Sequence, residues 1–210
     1  MEISDLSGLI DSSHFIDSSI KERCIEYFKQ IPEGLGDWFF SSVPTSVLSQ
    51  GDVLDKLDVV YLTVRDNLQE IQVIDDSPSM LLSHTCDINF EGKSRSKYIS
   101  VAPIFSFEEF ARTAKPQGYS EKSWGDFLKD IKANRITDIL YMPEKGKLEE
   151  SVVFLDRICS IDPRVLKIRL EKDKSEKLLS LSQIGFYYFL IKLTHHFARF
   201  EDRNEVKREE

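Results

Sequence analysis

The spacing of apolar residues changes near Gly51, from a helical period before it to strand-like patterns after it. Within residues 1–45, Asp17, Ser18 and Ser19 offer N-caps. Ile20, Cys24, Tyr27, Phe28 and Ile31 then keep helical spacing until Pro32-Glu33-Gly34 stops the helix. Trp38, Phe39 and Phe40 form an aromatic knot expected to dock this segment on the remainder. Past Gly51, Val53–Val64 carries apolar residues at mixed spacing, Leu68–Ile74 alternates, and Asp75-Asp76-Ser77-Pro78 reads as a turn. Two strong strands follow, Met80–Ser83 and Tyr98–Ile104, joined by a polar, Gly-containing loop. Alternation with short turns predicts a closed, small antiparallel sheet in which these two strands are neighbours.

Residues 105–135 interrupt the strands with two short helices, one on Phe107, Phe110 and Ala111, the other on Ser123, Trp124, Phe127, Leu128 and Ile131. Strands resume at Thr137–Met142 and Ser151–Ile161, and Ile158, Ile161, Val165, Leu166 and Ile168 carry the core through an Asp162-Pro163 turn. A last helix begins near Ser180-Leu181-Ser182-Gln183, a capping-box pattern. Leu181, Ile184, Tyr188, Leu190, Ile191 and Phe197 nearly encircle it, which predicts burial on more than one side. The N-terminal helices or a second subunit would supply the second cover. Gly185 allows close backbone approach, and His195 and His196, near the C-terminal end, read as incidental. The expected class is α+β: a helical extension over residues 1–48, a small SH3-like antiparallel barrel over 49–200, and a charged tail over 201–210. The barrel carries the helical insertion at 105–135 and the long C-terminal helix.

Composition narrows the partners. The 210 residues are 41% hydrophobic, enough for a core, and 28 Lys and Arg against 36 Asp and Glu leave a formal charge of −8. Non-specific grip on nucleic acid usually needs a basic footprint. Any such patch here is local, and Lys93, Arg95 and Lys97 in one loop are the candidates, with a solvated turn as the plainer account. Cys24, Cys86 and Cys159 are widely spaced without a CxxC pair, which points away from a disulfide framework and toward a reducing compartment. No apolar run approaches a membrane span and the N-terminus has no apolar signal core, so the expected location is the cytoplasm, with no membrane partner.

The order of segments resembles the MazF/PemK (CcdB-like) growth-inhibitor toxin family of bacterial toxin–antitoxin pairs. Gln50-Gly51-Asp52-Val53 is similar to its opening, Met80-Leu81-Leu82-Ser83 with Tyr98–Ile104 to its central strands, and Ser151–Leu166 to its late segment. The resemblance covers about residues 50–104 and 137–195 and implies an SH3-like barrel, commonly homodimeric, with metal-independent ribonuclease activity in active members. Two functional positions depart from the pattern. The family's Arg before Pro is Ser77 here, and the Thr opening the second central strand is Tyr98. Cleavage through a 2′-hydroxyl needs a base, an acid and charge stabilisation, and Ser77 supplies no cation; Arg95 or Arg157 are the replacements at hand.

Met80-Leu81-Leu82-Ser83 stops abruptly at His84-Thr85-Cys86-Asp87, four residues able to donate, accept, ligate or titrate. Buried strands present polar groups at their ends, because an unpartnered one inside costs roughly 1–3 kcal/mol. His84 and Cys86 share a face of an extended segment, which allows a thiolate–imidazolium pair. The catalytic candidates are therefore His84, Cys86, Asp87 and Arg95, and the binding candidates His84, Thr85, Asp87, Lys93, Arg95, Lys97 and Tyr98. A metal site from His84, Cys86 and Asp87 finds no second His/Cys cluster to complete it, so no metal or cofactor is expected. The plainer account has Thr85 and Asp87 bonding nearby amides while His84 and Cys86 pack at the rim. The favoured function is a protein-binding or regulatory module with a degenerate nuclease site, its partner a protein or a second subunit. The alternative is a metal-independent endoribonuclease with rearranged residues acting on RNA.

Overall fold

The computed structural model describes residue 10 and residues 16–43, 45–65, 68–88, 96–172 and 174–198. Helix α1 (Ser18–Phe28) starts where the Asp17 carboxylate accepts from the Ser19 N–H, and it buries Cys24 and Phe28. Two single-turn 3-10 segments, Ile31–Glu33 and Asp37–Phe39, lead into the strands. Strands β1 (Val53–Arg65), β2 (Leu68–Leu81) and β3 (Ile99–Ser106) are followed by helices α2 (Phe107–Thr113) and α3 (Glu121–Lys132). Then come β4 (Ile139–Met142), β5 (Ser151–Phe154), β6 (Cys159–Ile161), α4 (Pro163–Glu171), β7 (Lys177–Leu179) and α5 (Gln183–Phe197).

The fold is α+β, with one curled antiparallel half-barrel sheet. Strands run in the order β4-β5-β3-β2-β1-β7, and β6 pairs with β3 next to β5. The two central strands are neighbours, with Met80 opposite Ala102 and Leu81 opposite Val101. Closure does not occur: among the described residues β4 and β7 do not pair.

Both faces of the sheet centre are covered, which explains the unbroken apolar runs. Val53, Met80, Ala102, Leu140 and Val153 face one core with α1 and α5. Their chain neighbours Leu54, Leu81 and Val101 face a second core with Leu166 of α4. Tyr141 and Val152 join Phe107 and Ile131 of the insertion in a third. Each step along a strand changes cores.

Several expectations are corrected. Asp75–Pro78 is not a turn but part of β2: Lys56 (φ 50°) and Asp76 (φ 49°) lie in two successive shifts of the β1–β2 register, on either side of the Leu57–Ser77 pair. An Asp tolerates the left-handed region that a bulge requires as readily as a turn does. The expected Ser151–Ile161 strand is split into β5 and β6. Asp162-Pro163 starts a helix: Asp162 accepts from the Arg164 N–H at 2.9 Å, and Pro163 sits where a missing N–H costs nothing. Of the residues expected to carry the core there, Leu166 is buried, whereas Val165 and Ile168 are exposed. The last helix is capped by Ser182 rather than Ser180.

Helix α5 buries Ile184, Tyr188, Phe189, Ile191 and Lys192, while Phe197 is exposed. The second cover belongs to the same chain. Phe28 and Phe39 pack edge-on against Tyr188 at 5.2 and 6.3 Å, and Phe40 bridges Leu181. A Cβ on Gly185 would lie 2.0 Å from the Phe39 carbonyl oxygen, so only glycine permits this approach. Among the described residues no helix is long and apolar enough to cross a membrane.

Candidate functional site

After β2, Leu82 N–H donates to the Ser100 carbonyl at 2.9 Å and Ser83 Oγ accepts from Ser100 N–H at 2.8 Å. The chain then enters a 3-10 turn, Thr85–Asp87. His84 caps it, its Nδ1 accepting from the Cys86 N–H at 3.2 Å. That bond occupies the Nδ1 lone pair, the one a cysteine nucleophile two residues on would need if this nitrogen were its base. The expected division of labour is thus revised: the His84 ring organises the turn, and Cys86 is exposed. Thr85 reaches a distant partner, its Oγ1 accepting from Gln50 N–H at 3.1 Å.

The Gln50-Gly51-Asp52 segment is fastened along this strand end. Gln50 Nε2 donates to Leu82 O at 2.7 Å, Gly51 N–H to Leu81 O at 2.7 Å, and Leu81 N–H to Asp52 O at 2.9 Å. Gly51 (φ 88°) has no room for a side chain, because a Cβ would lie 2.6 Å from a Leu181 methyl. Asp52 is 1% exposed. Its carboxylate accepts from Ser49 N–H at 2.8 Å and from Lys177 Nζ at 3.3 Å. Burial pushes its pKa up, against the Ser49 amide, the Ser180 hydroxyl and Lys177, which favour the charged form. Lys177 Nζ also donates to Thr45 Oγ1 and the Val47 carbonyl, both at 2.9 Å. The pair ties the loop before β1 to β7 with its charges mutually satisfied.

Between that loop, β7 and the Thr85–Asp87 turn lies a cleft of about 1170 Å³. Leu48, Ile88, Leu170 and Leu179 give it an apolar lining, and Thr45, Ser46, Thr85, Cys86 and Lys167 a polar one. Thr85 and Cys86 are therefore at the cleft, while His84 is beside it.

The remaining candidates are dispersed. Lys97 and Tyr98 are exposed, with Lys97 Nζ 5.5 Å from the Tyr98 ring centre. Their electrostatic neighbours are Asp162 and Arg164 at the start of α4; the Arg164 side chain and N–H, with a smaller contribution from Lys97, hold the Asp162 carboxyl down at about 2. Lys93 and Arg95 lie outside the described residues. Arg157 stacks over Phe154 at 4.1 Å, beside the insertion, and is spent there. Ser77 is buried in β2, its hydroxyl donating to the Pro78 carbonyl at 3.0 Å. Among the described residues no group of three or more His, Cys, Asp or Glu side chains could hold a metal.

Two polar features escaped the sequence reading. The Asp52–Lys177 pair joins residues far apart in the chain, and only the Gly51-Asp52 step at the start of a strand hinted at it. Lys192 is 1% exposed, its Nζ donating to the Asn134 and Ile136 carbonyls at 2.9 and 2.8 Å. Burial drives its pKa down to about 7, against a smaller opposing pull from Asp138. The signal available in the sequence was one lysine among Phe189, Leu190, Ile191 and Leu193. No protein-family model matches this chain, and no curated protein matches it in sequence.

Proposed function

We propose that this chain is a MazF/PemK-like, SH3-like barrel module that binds a protein partner in the cleft beside the Thr85–Asp87 turn, with the ribonuclease chemistry of that family absent. The observation that carries the reading is Ser77. At the position matched to the family's Arg stands a buried hydroxyl already bonded to its neighbour's carbonyl. Nothing at that point can stabilise charge on a phosphoryl group. The cleft's own chemistry agrees: Lys177 is neutralised by Asp52, Lys167 pairs with Glu171 at 3.8 Å, the His84 Nδ1 is committed to the turn, and the rest of the lining mixes apolar side chains with hydroxyls. Such a surface suits a protein segment better than a polyanion, and the chain's charge of −8 opposes RNA further.

The test combines two measurements on the purified full chain. RNA incubated with it, with and without EDTA, should remain intact. A partner recovered with the wild-type protein should be lost with Thr85→Arg, which fills the cleft from an exposed position without touching a core. Cleavage that vanishes in a folded His84→Ala variant would establish the nuclease reading instead.

A further inference from the structure

Strand β7 ends the sheet, and its outer edge opens into the cleft, which Lys177, Leu178, Leu179 and Ser180 line. Lys177 stands opposite Leu54 of β1, and beside that pair Asp55 N–H donates to the Glu176 carbonyl at 3.0 Å. A bond in that place makes Leu54 and Lys177 a non-hydrogen-bonded pair, so the N–H and C=O of Lys177 itself point away from β1. Among the described residues neither group has a partner. Open edges are normally blunted or covered, because they offer a ladder to any other chain.

One step along, the same edge is covered. Phe40 bridges Leu181, Ser41 N–H donates to the Ser180 carbonyl at 2.8 Å, and Ser182 N–H donates to the Phe39 carbonyl at 3.0 Å. The register shift that leaves Leu178 as an extra residue between Lys177 and Leu179 turns Lys177 and Ser180 to one edge. Past Ser41 the covering segment departs. Ser41 Oγ donates to the Val43 carbonyl at 3.1 Å and accepts from Val43 N–H at 3.2 Å, which turns the chain out of line. Lys177 Nζ then holds Thr45 and Val47 on the far side of the cleft. The strand position that would continue Phe39–Ser41 along β7 is left open.

We propose that this position takes an extended segment of a partner protein, added as a strand antiparallel to β7 and bonded to the N–H and C=O of Lys177. The proposal rests on the cleft reading above and names the form of the partner. Backbone chemistry selects that occupant. A donor and an acceptor on one residue at a strand edge are matched by another extended backbone. A helix has spent its own backbone groups internally, and a phosphate backbone brings acceptors without donors. With Lys177 paired to Asp52 and Lys167 to Glu171, the lining carries no net charge, so the segment's inward side chains are apolar or hydroxylic. A formal charge of −8 on each copy opposes a second copy as the source of the strand.

Peptides selected from a random display library on the immobilised full-length protein are the probe. They should bind Thr85→Arg at least about tenfold more weakly than the wild type. Methylating the peptide's amide nitrogens one at a time should cost a similar factor at the residue facing Lys177 and spare its two neighbours, whose N–H groups point away. The Lys177 amide, followed by hydrogen exchange in NMR spectra, should exchange readily in the free protein and become protected with peptide bound. Peptides that depend on Thr85 but tolerate every methylation and leave Lys177 exchange unchanged overturn strand addition while the cleft reading stands. A library that yields no Thr85-dependent peptide also overturns it; the cleft reading falls too if Thr85→Arg keeps every partner of the wild type. A Lys177 amide already protected in the free protein overturns it as well, with the chain itself as the cover if protection is independent of concentration and a second copy if it grows with concentration.

Discussion

The apolar positions in the near and far halves of β1 are filled by the same Val and Leu residues, yet they end in opposite environments. Val53, Leu54, Leu57 and Val59 are at most 1% exposed, whereas Val60, Leu62 and Val64 are 48–70% exposed. The near half has α1 and α5 on one face and α4 on the other. Along the far half the α5-side cover has run out, and only the opposite face remains packed. Strand propensity made β1 and β2 long. Burial was supplied, or withheld, by other elements.

The sharpest way to break this comparison is Leu81→Ala, at a fully buried position in the covered half of β2. A cavity there should cost about 2–5 kcal/mol in urea unfolding. A loss below about 1 kcal/mol would mean that the second core is loosely packed and the contrast with the far half of β1 overstated. Gly185→Ala tests how the cover is attached. Its Cβ would collide with the Phe39 carbonyl, so the N-terminal segment must shift, at about 1–3 kcal/mol. The near-ultraviolet signal of Trp38 and its aromatic neighbours should change with it.

Lys192 sharpens the contrast from the interior side of α5, where an amine is enclosed rather than a hydrocarbon. Its pKa is about 7 when folded and 10.5 ordinarily, so across that interval the unfolded chain binds a proton that the folded chain has released. Stability should therefore rise with pH from about 7 to 10.5, relative to a Lys192→Met variant in which this contribution is missing. Parallel pH profiles of the two proteins would contradict that. The smallest effect belongs to the far half of β1: Leu62→Ala, at an exposed position, should change stability by no more than about 0.5 kcal/mol in urea unfolding.

Much of the strand framework was legible from local pattern. Met80–Leu81 and Ile99–Ile104 could be recognised and paired because apolar runs bounded by polar loops need one another. Helix α3 was equally plain, since Trp124, Phe127, Leu128 and Ile131 recur at helical spacing. Asp75–Pro78 and Asp162-Pro163 were misread for one reason: Asp and Pro serve turns, bulges and helix starts alike, and only the surrounding pairing selects among them. The polar run after β2 was found as a strand end, yet its chemistry was hidden. Whether the His84 ring faces a thiol or a backbone N–H depends on a side-chain torsion that no spacing encodes.

By itself, then, the sequence determined the class of the fold, the adjacency of the central strands and the apolar character of the last helix, because these follow from periodicity within short windows. Only the tertiary structure decided that the sheet stays open and that the N-terminal segment covers α5. It alone paired Asp52 with Lys177 across 125 residues and left one face of the far halves of β1 and β2 exposed. Each of these outcomes depends on which distant surfaces meet, and no local pattern carries that information.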